Sequence, residues 1–193
     1  MIEKVAIRLS AGWGRILDVP EEDVECYRYG LELLLSTLCN ILLMIVVSVI
    51  LQMPLLFLPY TFVYVPMRLY AGGFHASSHF RCIAFSCLSF LVCAIAAKYS
   101  GGWGGRYVCL LILIISVPIF YKFVPVISPN KPLSDGQIVT AKRNVKIMEV
   151  ILVVFWIVLY CTKTFHSYVI MCFYAELSVV VTLILGQIKN HKS

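Results

Sequence analysis

The chain has 193 residues, 61% of them hydrophobic and 13% charged, with a formal net charge of +6 and a mean hydropathy of +0.90. The charged fraction is about half the globular norm, and a soluble domain of this length has too little interior to hide so much apolar surface. A water-soluble enzyme is therefore excluded. An all-α, polytopic helical bundle is expected, forming a single membrane domain over residues 1–193. Lipid is the implied environment, and neither a nucleic-acid partner nor a cofactor is expected.

The first 32 residues are amphipathic and do not span. Val5, Ile7, Leu9, Ile16 and Leu17 alternate with charges, and no apolar core of signal-peptide length precedes Leu33. This region is expected to be retained, either as a helix pair lying on the inner leaflet or as a solvated helical hairpin. Pro20 suits the first turn of the second helix, and Glu21, Glu22 and Asp23 complement its positive end.

Six spans are expected within residues 33–188. They run over about 33–51, 54–67, 82–97, 107–126, 147–161 and 168–188. Pro54 makes a tight turn between the first two, Pro59 interrupts the second, and Pro118 lies inside the fourth. Several fall short of the roughly 20 residues that cross a bilayer unaided, so thinning, tilt or protein-lined half-spans are expected. The segment Ser100-Gly101-Gly102-Trp103-Gly104-Gly105 reads as an outer loop, with Trp103 and Tyr107 at the interface.

With the N-terminus in the cytoplasm, every lysine and arginine except Lys98, Arg106 and Lys163 falls on the inner side. The positive-inside rule then puts both termini in the cytoplasm. It sets the 68–82 segment and the loop expected over 128–146 on that same side.

Six of the eight cysteines lie in apolar runs, where cysteine behaves as a small hydrophobe. A disulfide framework is not expected. Cys82 is different, because it stands at the edge of the third span, seven residues after His75. On one straight helix the two would share a face but sit about 10 Å apart along the axis. A working pair therefore requires the histidine to fold back. Gly72 and Gly73 give the backbone that freedom, and Ser77 or Ser78 can cap a helix starting near Cys82. A helix start favours a thiolate, and Arg81 adds positive charge beside it in the sequence. A thiol with a nearby imidazole is the pattern of nucleophilic cysteine catalysis, and the free N–H groups of the helix start could cradle an oxyanion.

Three alternatives stand beside this reading. His75, His79 and Cys82 form H-x3-H-x2-C, which could ligate zinc, although no aspartate or glutamate lies between Leu33 and Ser134 to serve as its base. A buried thiol with a structural histidine is the second. The third is a non-enzymatic peptide exporter or sensor component. A two-aspartate protease has no aspartate in any span, and G-x-S-x-G is absent.

Taken together, Arg68-x3-Gly72-Gly73-Phe-His75-Ala-x5-Cys82 and Pro125-x3-Pro129-Asn130-Lys131-Pro132-Leu133 resemble the signature of the accessory gene regulator B (AgrB) family, membrane peptidases of Gram-positive quorum sensing. The likeness extends over nearly the whole chain, with Phe74 where tyrosine is also familiar. It implies a membrane cysteine endopeptidase with Cys82 as nucleophile and His75 as its histidine. The substrate implied is a small AgrD-like precursor, whose C-terminal tail is cut off while the rest is held as a thioester and released as a cyclic thiolactone or lactone. A homodimer is implied as well. Family precursors carry an acidic tail, for which Lys131, Arg81, Lys142 and Arg143 are the candidate holders, with Arg68 and Ser78 positioning the loop. Ordinary inner-leaflet charge bias would produce the same basic cluster.

Overall fold

A computed structural model describes residues 2–16, 20–73, 79–100, 103–126, 134–163 and 166–192. Seven helices make up the described residues: α1 (Ile2–Ile16), α2 (Glu21–Ile50), α3 (Phe57–Ala71), α4 (His79–Tyr99), α5 (Trp103–Phe123), α6 (Asp135–Thr162) and α7 (Ser167–Lys192). The all-α helical bundle expected from composition is what forms. Five helices are long and apolar enough to cross a membrane, namely α2 from Gly30 and α4 to α7.

The sixth expected span is α3, whose 15 residues rise only about 22 Å, short of a bilayer core of about 30 Å. It is a half-length helix backed by protein, with Tyr60, Val63, Tyr64, Met67 and Ala71 buried. Pro59 does not interrupt it. Pro59 lies in the first turn, where a missing N–H costs nothing, and the internal proline is Pro66.

Two other boundaries moved. α2 is continuous for 30 residues, so the second amphipathic helix and the first span are one element. α6 begins at Asp135, about three turns before the expected start at 147. Residues 135–146 are thus helix and not loop. Ser134 caps them in a reciprocal capping box, with Gln137 N donating to Ser134 Oγ (3.4 Å) and Ser134 N donating to Gln137 Oε1 (2.9 Å). Lys142, Arg143 and Lys146 masked this start, because they face outward while Ala141 and Val145 turn inward. The 28 residues rise about 42 Å, so the basic first turns extend beyond the apolar core.

α7 is the centre of the bundle. It packs against α3, α4 and α5, and Ile170, Met171, Phe173, Ala175, Val179 and Leu183 are buried along it. α6 closes one flank against α3 and α5, while α2 closes the other against α4, with α1 lying on α2. Outward-facing leucine, valine and phenylalanine such as Leu42, Phe62, Leu88 and Val150 remain exposed, as a lipid-facing surface requires.

Contacts define two ends of the bundle. At one, Lys98 Nζ donates to Leu51 O (3.1 Å), Ser100 Oγ meets Tyr174 Oη (2.8 Å), and Trp156 Nε1 donates to Arg106 O (3.1 Å). At the other, the end of α3 meets the end of α5 through Val126 N donating to Ala71 O (2.9 Å). There Gln187 Nε2 of α7 reaches Phe123 O (3.5 Å). Cys82, at the start of α4, belongs to this second end.

Two glutamates lie inside the bundle. Glu176 on α7 accepts the Ser116 hydroxyl of α5 and faces Glu149 of α6. The two carboxyl groups are each other's polar neighbours there.

Candidate active site

The site is built on the end of α3 and the start of α4. α3 stops because Gly72 leaves the helical region, with φ 72° and ψ −147°, and Gly73 follows at φ 125°. Both conformations favour glycine. The carbonyl of Gly72 accepts the Arg68 guanidinium one turn back, which clamps the helix end. Gly72 also pairs with Val126 in a single parallel bridge, just after the cis Val124–Pro125 peptide. A Cβ on Gly72 would lie 2.5 Å from Val126 O, and one on Gly73 would lie 2.9 Å from Thr182 O of α7. Both glycines therefore also allow close approach of neighbouring backbone.

This seam joins the roots of two segments. Residues 74–78 follow Gly73 and lead into α4, and residues 127–133 follow Val126 and lead into α6. His75, Ser78 and Lys131 fall in these segments and lie outside the described residues. So does Asn130, and His75 is one of the three ligands of the zinc alternative. Among the described residues no group of three histidine, cysteine, aspartate or glutamate side chains could hold a metal ion.

Cys82 is the fourth residue of α4, at the close of its first turn and not at its tip. Side chains on a helix lean toward its N-terminus, so the half-buried thiol is carried back toward the rim. Like Cys39, Cys87, Cys93, Cys109, Cys161 and Cys172, Cys82 is a free thiol. Arg81 beside it is exposed, and Lys142 and Arg143 are exposed on α6. With Lys146 they lie along one face of that helix among Val139, Ile147 and Val150. A shallow hollow lies between the end of α3 and the start of α6, lined by Leu69, Tyr70, Gln137, Thr140 and Ala141.

The acidic and amide side chains that could stand beside the cysteine and histidine as a third member divide. Glu32 pairs with Arg28 (3.7 Å), Gln137 is used in the cap of α6, and Asp135 is exposed at that helix start. Glu149 and Glu176 face each other in the interior.

Sequence reading missed Tyr64 and Ser86. The Tyr64 hydroxyl bonds with Ser86 and Arg68. The available signal was spacing, since Tyr64 and Arg68 are four apart on α3, and Cys82 and Ser86 four apart on α4. Each pair shares a helix face.

The family model described as Accessory gene regulator B matches residues 3–186. The chain belongs to the AgrB family. An AgrB-like protein of Clostridium beijerinckii is 24% identical over 176 residues, covering 90% of this chain and 85% of that protein. Another, from Clostridium perfringens (strain SM101 / Type A), is 26% identical over 142 residues, covering 71% of this chain and 66% of the relative. No solved structure matches the chain. AgrB membership ties this multi-pass protein to the accessory gene regulator system, in which the precursor peptide is the partner. Within the family match fall the glycine seam, Cys82, and the two segments rooted at Gly73 and Val126.

Proposed function

We propose that this AgrB-family protein is a membrane cysteine endopeptidase that removes the C-terminal tail of an AgrD-like precursor. Cys82 is the nucleophile and His75 the base. His75 takes the thiol proton as Cys82 Sγ attacks the scissile carbonyl, and returns it to the leaving amine. The tail departs as a free peptide, and the acyl part stays on Cys82 as a thioester. A thiol within that same peptide then attacks the thioester carbonyl, taking the acyl group and returning the thiol to Cys82. If a hydroxyl attacks instead, a lactone forms. One thioester replaces another, so ring closure needs no ATP, and tethering raises the effective concentration of the internal thiol.

The observation that carries this reading is the place of Cys82. It is a half-buried, free thiol in the first turn of α4, the membrane helix that follows the glycine turn ending α3. The reading puts Cys82, both termini and the 127–133 segment on the cytoplasmic side, since the basic residues Arg68, Lys122, Lys142, Arg143 and Lys146 belong to the Cys82 end while Lys98, Arg106 and Lys163 belong to the other. It takes the acidic tail to be held by Lys131 with Arg81, Lys142 and Arg143, and the working protein to be a homodimer in lipid.

The test is cleavage of the cognate precursor by protein in vesicles. Cys82→Ser and His75→Ala should abolish tail release at normal protein level, and the native enzyme quenched early should carry on Cys82 the mass of the acyl fragment that remains once the tail has left. Undiminished cyclic product from Cys82→Ser would end the proposal.

A further inference from the structure

We propose that Glu149 and Glu176 form a proton site inside the bundle, in which one proton is held on Glu149, shared with Glu176, and ties α6 to α7 across the core.

The placement rests on how four helices surround one interior. α7 packs against α3 and α5, and α6 packs against the same two helices. α6 and α7 therefore lie across the core from one another and meet through long side chains. Phe155 of α6 stacks on Phe173 of α7 (centroids 6.3 Å apart, planes at 10°). Further toward the Cys82 end, Glu149 meets Glu176. Glu149 lies with Val145 and Leu152 on the buried face of α6, and Glu176 with Phe173, Val179 and Val180 on that of α7. Ser116 of α5 joins the group, its hydroxyl bonded to Glu176. The contacts of α5 with α6 agree with this level. Toward one end Trp156 Nε1 donates to Arg106 O (3.1 Å), and toward the other Lys146 Nζ lies over the Tyr121 ring (5.0 Å). Glu149 and Ser116 fall between the same two contacts.

The surroundings offer the pair no ready countercharge. Glu149 is 7% exposed and Glu176 0%. Among the described residues, Glu149 has no other polar partner, and Glu176 has only Ser116 besides. Basic side chains of the flanking helices are engaged toward the helix ends, Arg106 over Tyr107 (4.5 Å), Lys146 over Tyr121, and Arg68 on the Gly72 carbonyl. The tyrosine hydroxyls of α3 are taken as well, Tyr60 by Ser178 (2.9 Å) and Tyr64 by Ser86 and Arg68. The titratable neighbour on α5 is the buried Cys109 thiol, beside Glu176.

Two carboxylates side by side and away from water repel each other, and each is costly alone. One proton removes the repulsion and makes a charge-assisted hydrogen bond, with the acid O–H donating to the carboxylate. Ser116 marks Glu176 as the carboxylate, because its hydroxyl already donates to Oε1. Glu149 has no such donor, so the proton rests there. A metal cation fits less well, since a hard cation takes six or so oxygen ligands and only two carboxyl groups and one hydroxyl meet here. The tie fixes α6 one turn inside Lys146 and two turns inside Lys142, so it sets the rotation of the helix that carries the basic face.

The test uses the full-length protein in a detergent without ester groups, so that infrared absorption at the C=O stretch of a protonated carboxyl belongs to the protein. At neutral pH the native protein should show that band. Glu149→Gln should remove it, because the amide N–H replaces the acid O–H and Glu176 stays a carboxylate. Glu176→Gln should keep it at a shifted position. A band that survives Glu149→Gln, or is lost in Glu176→Gln, would overturn the assignment. The native band needs no variant, so its absence overturns the proposal even if the variants fail to accumulate. A band that appears only when sodium and potassium are removed would assign the site to a metal cation and overturn it too. The tie is read by thermal unfolding in the same detergent. Glu149→Gln should unfold as the native protein does, and Glu149→Ala about 5 °C lower; a native midpoint in Glu149→Ala would overturn the tie.

Discussion

Replacing Gly72 by alanine tests whether the backbone seam organises the site. Two costs follow from the structure. The backbone at φ 72°, ψ −147° is a region that L residues occupy at about 1–3 kcal/mol. The new Cβ would also lie 2.5 Å from Val126 O, so the bridge must open. That loses the 2.9 Å bond from Val126 N to Ala71 O, worth about 1 kcal/mol. The sum is about 2–4 kcal/mol, a large share of a stability of about 5–15 kcal/mol. For a chain of this length the midpoint of thermal unfolding should fall by about 5–15 °C. Unfolding in detergent measures this, and tail release in vesicles measures the site, which should lose more activity than stability because both loop roots shift. Gly136→Ala is the control. It is the second residue of α6 with nothing within 4 Å of a Cβ, and alanine there should cost nothing. A Gly72→Ala protein with native unfolding and native cleavage would refute the claim that the seam is required.

Two further outcomes follow from the proposed function. Lys131→Glu should weaken precursor binding and raise KM while leaving membrane insertion intact; normal processing by that variant would remove the tail-holding role. Labelling of intact cells with a membrane-impermeant maleimide should modify Cys161, which is exposed near the α6–α7 turn, and spare Cys82 until the cells are opened. The reverse pattern would invert the orientation.

Hydropathy was enough to read the bundle, because apolar runs bounded by glycine, proline and charge leave little else for the chain to do in lipid. It misjudged elements where polar residues sit on helices. Lys142, Arg143 and Lys146 face outward from the start of α6, and the acidic residues from Glu21 to Glu32 lie on the first turns of α2, so both helices were read as shorter than they are. Pro59 was misread because the cost of proline depends on its turn within the helix. The glycine turn was legible, since Gly72-Gly73 has a local conformational signature. The pairing of Gly72 with Val126 was not, because it joins residues far apart in sequence through backbone atoms alone. Nor were Tyr64 and Ser86, whose meeting depends on the relative register of two helices, or the approach of Glu149 to Glu176.

The stitch between Gly72 and Val126 means that the segment leading to Cys82 and the lysine-bearing segment share one anchorage. Pulling on either root strains the other, so a tail gripped by 127–133 would tug on the very turn that leads to Cys82. Under the proposed function, grip and cut would then be mechanically linked within one subunit, and lengthening the second segment by a few residues should loosen that linkage while leaving the chemistry of the thiol untouched.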